Sequence, residues 1–339
     1  MMHSLFSSRK TSRSTETINT RSRKTLGRLF LILAGIFVAA FLVEIACRPF
    51  SPYFFSAKSE PDHYTSDYDR KQYRFDDELG YRPCMGKGCE YNSTGTKNNE
   101  YDIEKNQETI RVLFLGDSIT AIGYTQEYLE KLFNNEGKYE FWNCGVHGYS
   151  FHNELRYFER YCRLTRPDIV VLGLCLGDLD SAPVILKNDD NSTVVVSPNL
   201  GRKHFNMWLF KNSVIYRMYL SLKSPQQDFD SLAEEFKTNL EKMVDYSKID
   251  NFDLKMVIYP KLDHYSKWAD QEQETYNKII SIAAEMNMEY YNLFPLFFHY
   301  SNCFDIKTTR NTPKDYIHPS RIFSMEVAKF LYESGLLEK

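Results

Sequence analysis

The chain has 339 residues, with 42 Lys and Arg against 45 Asp and Glu, and a formal charge of -3. That balance excludes the strongly basic surface a nucleic-acid partner requires, and the length allows one large domain or two small ones around a core of ordinary size. The 24 Tyr and 24 Phe favour broad apolar packing, or grooves suited to sugars and acyl chains.

The N-terminal stretch differs from the rest of the chain. Residues 1–28 carry seven Lys or Arg against one Glu, with many Ser and Thr, the composition of a solvated basic tail. "LFLILAGIFVAAFLV", residues 29–43, contains no polar side chain. Extended to Leu26 and Cys47 it reaches the roughly 20 residues that span a bilayer, with Arg28 and Glu44 near its ends placed to snorkel. We expect a transmembrane anchor over 29–47, with the basic tail in the cytoplasm and everything after about residue 48 outside. A cleaved signal peptide would want a short basic region and a small-x-small site, and neither is evident. A lipoprotein signal ending at "EIAC" would put Glu44 three places before Cys47. A buried core helix is the remaining alternative.

Residues 48–108 are rich in Tyr, Asp, Lys and Asn and lack sustained periodicity. They read as a stalk and a lead-in that wraps the domain beyond. Within them "CMGKGC" sets Cys84 and Cys89 five apart, close enough to bridge in an exported protein. No His or further Cys stands nearby at metal-ligand spacing, so no metal site is expected. Cys144, Cys162 and Cys175 lie in apolar stretches and read as buried thiols.

From residue 109 to 339 apolar runs and amphipathic stripes alternate. Strands are expected at 111–115, 139–143, 168–176, 254–259 and 288–292. The helical stripes are Tyr124, Tyr128, Leu132 and Phe133; Leu232, Phe236, Leu240, Met243 and Val244; and Ile279, Ile280, Ala283 and Met286. A last helix after His318 carries Ile322, Val327, Phe330 and Leu331. This alternation predicts an α/β fold, a parallel sheet with helices on both faces, whose ligands bind off the carboxyl ends of the strands. The connection at 180–228 interrupts the pattern with a hairpin-like piece at 188–200 and an aromatic helix candidate at 204–223. It reads as a lid, a substrate-facing insertion or a further core-packing helix.

Three stretches fall at strand ends or turns. The first strand stops on Gly116-Asp117-Ser118. "NCGVHGYS" comes after the second, with Asn143, Gly145 and Gly148. "DYIHPS" puts Asp315 three residues before His318. Taken singly, each has a plain structural reading as a glycine turn or a helix cap. Together they make chemical sense, because a serine nucleophile needs a base and the base needs a third group to fix its tautomer. His147 and His152 lie where they could contact substrate, whereas His264 and His299 read as structural or surface residues.

In order and placement these stretches resemble the SGNH/GDSL hydrolase family, over about residues 110–335. Gly116-Asp117-Ser118 matches the first motif with Ile119 in place of Leu, Gly148 fits the glycine of the second, and Asp315 and His318 fit the Asp-x-x-His of the last. "DDELGYRP" and "YNSTGTK" look like the lead-in of membrane-anchored bacterial members. The resemblance implies a flavodoxin-like three-layer sandwich with a five-stranded parallel sheet, a Ser118–His318–Asp315 triad, and an oxyanion hole built from Ser118 and Gly148. The family's third motif, Gly-x-Asn-Asp, departs here: in "LCLGDLD" its Asn place falls on Gly177 or Asp178, and neither supplies an amide side chain. The resemblance thus implies a membrane-anchored serine ester hydrolase with no cofactor. It would act on an acyl or acetyl ester of a glycan, lipid or small molecule, with its domain periplasmic or extracellular. Acyl transfer onto a glycan hydroxyl and a non-catalytic binding protein are the alternatives.

Overall fold

The computed structural model describes residues 11–49, 72–76, 78–97, 103–105, 108–133, 138–179, 184–187, 193–196, 206, 209, 212–223 and 228–338. The chain divides into two compact units, one of residues 1–57 and 202–224, the other of residues 58–201 and 225–339.

In the first unit a single helix, α1 (Thr11–Cys47), contains the apolar run. Its segment Leu26–Cys47, 22 residues long, is apolar and long enough to cross a membrane. A helix of the long connection, α5 (Val214–Lys223), packs on it. Glu44 explains the pairing. Its carboxylate accepts from the Val214 amide at 2.7 Å, the Ile215 amide at 3.1 Å and the Ser213 hydroxyl at 2.9 Å. An acid at the end of an apolar run would be costly alone, and here it caps the unpaired donors at a helix start.

The second unit is built on five parallel strands: β3 (Ile110–Gly116), β4 (Tyr139–Gly145), β5 (Ile169–Leu174), β8 (Asp253–Ile258) and β9 (Glu289–Asn292), in the order β4-β3-β5-β8-β9. All five expected strands are present. β3 and β5 lie inside the sheet, and all six residues of β5 are buried, which is why the run reads as continuously apolar in sequence. Alternate side chains divide between two cores. Leu113, Leu115, Val170, Leu172 and Met256 meet α4 (Phe151–Arg160), α6 (Phe229–Asp250) and α7 (Asp270–Glu285). Val112, Phe114, Ile169, Val171 and Val257 meet α3 (Tyr124–Phe133), α8 (Phe294–Cys303) and α9 (Arg321–Glu333). The result is the three-layer α/β sandwich expected from the alternation.

A hairpin of β1 (Tyr73–Asp76) and β2 (Gly80–Pro83) begins the described lead-in. A second hairpin, β6 (Val184–Lys187) with β7 (Thr193–Val196), opens the long connection and packs beside the first. The disulfide expected between Cys84 and Cys89 is formed. One reading is corrected: Cys144 and Cys162 are not thiols but a disulfide, with Cα atoms 6.6 Å apart. The intervening helix α4 turns the chain back so that the 18-residue spacing closes. Cys175 is a buried thiol, as expected.

Candidate active site

Ser118 owes its position to bare strand ends. A Cβ at Gly116 would stand 2.2 Å from Thr120 Oγ1 and 2.8 Å from the Gly173 carbonyl; one at Gly145 would stand 2.3 Å from the Ala121 amide. Only glycine lets the short helix α2 (Ser118–Ile122) descend this close onto the sheet. Asp117 caps α2, its Oδ1 accepting from the Ile119 amide at 2.8 Å. Asn143 at the end of β4 clasps the same turn by donating to the Thr120 carbonyl at 2.7 Å. Ser118 is therefore the first helical residue, with its hydroxyl at the rim of the sheet.

The loop after α8 brings the other two groups. His318 Nε2 lies 2.7 Å from Ser118 Oγ, across 200 residues of sequence, and Nδ1 lies 2.8 Å from Asp315 Oδ2. An ionised carboxylate can only accept, so Nδ1 carries the proton and Nε2 is left to accept from the serine. Burial alone would raise the Asp315 carboxyl. The amides of His318 and Ile317 and the imidazole, all donating to it, outweigh burial and hold it below the usual carboxylate range.

Ser118 opens on a cavity of about 790 Å³ whose lining also includes Gly148, Gly177, Phe229, Lys261 and Tyr316. Gly148 has φ +73°, a backbone conformation that favours glycine. Among the described residues neither the Ser118 amide nor the Gly148 amide has a hydrogen-bond acceptor. The two candidates for the third donor separate clearly. Gly177 lines the cavity, and its amide donates to Cys175 Sγ at 3.4 Å. Asp178 does not line the cavity: its carboxyl is buried and accepts from the Cys175 amide instead. The reason is local. The turn Leu176–Leu179 is a 3-10 helix, which directs residue 178 inward when residue 177 faces the cavity.

Beneath the floor, three carboxyls are buried together, which nothing in the sequence suggested. Asp117, Glu154 and Asp178 are all at most 7 % exposed. Burial, then the charge of Asp178 and Asp117, pushes Glu154 well above the usual range; burial and Asp117 do the same to Asp178, and burial raises Asp117. Both oxygens of Glu154 and Oδ1 of Asp178 are buried without a hydrogen-bond partner among the described residues, so the two acids are favoured in their neutral forms. The thiol of Cys175, 3.3 Å from Asp117 Oδ2, is likewise pushed up and stays protonated.

Among the described residues, the remaining histidines lie outside the Ser118–His318–Asp315 cluster. His147 adjoins the Gly148 turn, and burial, then the charges of Lys97 and His318, lower it to about 4, so it is neutral near pH 7. His152 lies 2.8 Å from Glu235 on the outer side of α4 and does not line the cavity. His264 and His299 are exposed, as expected. Of the described residues in 180–228, none lines the cavity; Phe229, just beyond, does. Among the described residues no group of three His, Cys, Asp or Glu side chains is arranged to hold a metal ion.

The raised acids make a signed prediction. A carboxyl whose folded pKa is raised contributes stability at acid pH, and that contribution is lost as pH rises through the folded value. Asp315, held low, has the opposite dependence, its contribution being lost as pH falls. Thermal melts taken upward from pH 5 should therefore fall more steeply for the wild type than for Glu154→Gln. Parallel curves would show that the Glu154–Asp178 pair does not titrate in that range.

No protein-family model matches the chain, and no curated protein matches it. Solved structures do. An acetyl xylan esterase, AlAXEase, is 18 % identical with a TM-score of 0.44, the match covering 66 % of this chain and 99 % of that one. An acetylxylan esterase from Geobacillus stearothermophilus is 16 % identical with a TM-score of 0.44, covering 68 % and 97 %. A member of the lipolytic protein G-D-S-L family from Veillonella parvula DSM 2008 is 14 % identical with a TM-score of 0.42, covering 68 % and 100 %.

Proposed function

We propose that the chain is a serine ester hydrolase of the SGNH/GDSL type, anchored in a membrane by residues 29–47. One observation carries the chemistry: an aligned Ser118–His318–Asp315 relay at 2.7 and 2.8 Å opening on a cavity. Ser118 Oγ attacks the ester carbonyl carbon while its proton passes to His318 Nε2. The Ser118 and Gly148 amides hold the oxyanion, and Asp315 stabilises the imidazolium. Collapse expels the alcohol, which takes the proton from Nε2. Water then attacks the acyl-enzyme, giving up its proton to His318, and the carboxylic acid leaves as Ser118 regains its proton. The relay itself calls for no cofactor.

The substrate class is an acyl or acetyl ester of a glycan, lipid or small molecule. The cavity walls support this breadth. Leu176, Leu179, Phe229 and Leu232 are apolar, whereas Lys261 and Glu272 form an ion pair at 2.6 Å on the polar wall. The similar acetylxylan esterases act on one such ester. The basic tail and apolar segment support a cytoplasmic N-terminus with the catalytic unit outside, where the Cys84–Cys89 and Cys144–Cys162 disulfides would persist.

Ser118→Ala should abolish both hydrolysis of a short-chain p-nitrophenyl ester and labelling by a fluorophosphonate probe, with the fold unchanged by circular dichroism. His318→Ala should lose nearly as much, because triad members act as a unit. Near-native turnover by Ser118→Ala would end the esterase assignment.

The hole, left with two amides, predicts a slow enzyme that can be improved. A Cβ at Gly177 would meet only Cys175 Sγ, at an ordinary 3.7 Å, so Gly177→Asn has room for an amide side chain. It should raise kcat/KM by about tenfold or more, within the range for one oxyanion donor. An unchanged or lower rate, with the fold intact, would place the oxyanion elsewhere.

For the anchor, the full chain should remain with membranes through carbonate extraction, and a reporter after Lys339 should be active outside the cytoplasm. A reporter active only inside would reverse the proposed topology.

A further inference from the structure

The lead-in covers the free edge of β4, and its hydrogen bonds obey a rule. β4 is an outer strand of the sheet, so alternate carbonyls along it face outward without a neighbouring strand. The Lys97 amide takes the Asn143 carbonyl at 2.8 Å. The Tyr91 hydroxyl donates to the Gly145 carbonyl at 2.7 Å. The Tyr81 hydroxyl donates to the His147 carbonyl. Residues 143, 145 and 147 are thus three successive rungs, and the third lies beyond the strand, in the turn that carries Gly148.

That third rung has a chemical consequence. The carbonyl of His147 and the amide of Gly148 belong to one planar trans peptide, so the two bonds point in opposite directions. A donor fixed on the oxygen sets the rotation of that plane and hence the aim of the N–H. It also polarises the amide, strengthening it as a donor. Tyr81 is well placed for this task. It is 1 % exposed, its ring packs edge-on against Tyr149 at 5.1 Å, and the Tyr149 hydroxyl returns a hydrogen bond to the Tyr81 carbonyl at 2.5 Å.

We propose that Tyr81 is a positioning residue of the oxyanion hole, holding the Gly148 amide at the cavity through the shared His147–Gly148 peptide. This rests on the esterase reading of the site. It makes the lead-in part of the catalytic unit, although no residue of the lead-in touches the cavity among the described residues.

Tyr91 supplies the internal control. It is equally buried and its hydroxyl also serves a β4 carbonyl, but that peptide's amide, Val146, donates to the Gly116 carbonyl at 3.0 Å within the structure. Tyr81→Phe and Tyr91→Phe each delete one buried hydroxyl without changing shape. Both should lower the melting temperature by similar amounts. Only Tyr81→Phe should lower kcat, by about tenfold with KM within about twofold, since a part of one oxyanion contact is lost. It should also weaken binding of a trifluoromethyl ketone, whose adduct with Ser118 places an oxyanion in the hole, by about the same factor. Equal kcat values for the two variants would overturn the proposal, whether both match the wild type or both fall together. If Tyr81→Phe does not fold, Tyr149→Phe, which removes the return bond onto Tyr81, should lower kcat in the same way, and an unchanged kcat would overturn it. Fluorophosphonate labelling of the wild type at Ser118 is read alongside: without it the esterase reading fails, whereas with it the ratio of the two variants still decides the role of Tyr81.

Discussion

Gly116 and Gly145 end adjacent strands, and a Cβ on either would stand within 2.3 Å of the first turn of α2. That exclusion sets the height of the helix above the sheet, and the height sets everything above it. With α2 lowered, Asp117 reaches the Ile119 amide to cap it, Asn143 reaches the Thr120 carbonyl, and Ser118 stands where His318 can meet it. A larger residue at either strand end would push Ser118 outward, away from its contact with His318.

The same descent creates a problem below the site. Asp117 is needed as the cap, yet it is buried, and Glu154 and Asp178 are buried beside it. Three carboxylates in so small a volume cannot all be charged, because desolvation and mutual repulsion add. The structure answers this in two ways: burial and the neighbouring acids hold Glu154 and Asp178 well above the usual carboxylate range, while the Cys175 thiol turns toward Asp117 and the Cys175 amide serves Asp178. Asp178 is thereby committed to the floor. With Gly177 in the wall, this stretch offers the cavity only backbone donors, so a departure visible in one motif is tied to an electrostatic arrangement spread over three elements.

Much of this was legible in the sequence. Five expected runs became five strands; β3 and β5 were the plainest, because a strand covered on both faces needs apolar residues at nearly every position. The stripes of α3, α6, α7 and α9 were equally plain. The Ser118–His318–Asp315 cluster could be expected because Asp315 and His318 are close in sequence and Ser118 stands at a strand end. What escaped reading depends on residues whose type contradicts their burial. Helix α4 mixes Phe151, Leu155 and Phe158 with His152, Asn153 and Glu154, and the buried Glu154 and Asn153 break its apolar face. Missing α4 hid the return of the chain that pairs Cys144 with Cys162. The aim of Asp178 was also out of reach, since it turns on whether the residues after β5 continue as a strand or coil into a 3-10 turn.

The long connection and the lead-in show how irregular sequence is put to use. Neither has a periodicity of its own, and each is held by side chains that satisfy backbone groups left over elsewhere. Glu44 closes the start of α5, Tyr81 and Tyr91 tie the lead-in to the edge of the sheet, and Asn153 ties it to α4 by donating to the Leu79 carbonyl at 2.6 Å. An open edge strand invites pairing with another chain, so covering β4 protects the fold whatever the chemistry. Once covered, the edge transmits the position of the lead-in to its last carbonyl, which shares a peptide with Gly148. A segment recruited to close an edge thereby acquires a hold on the site.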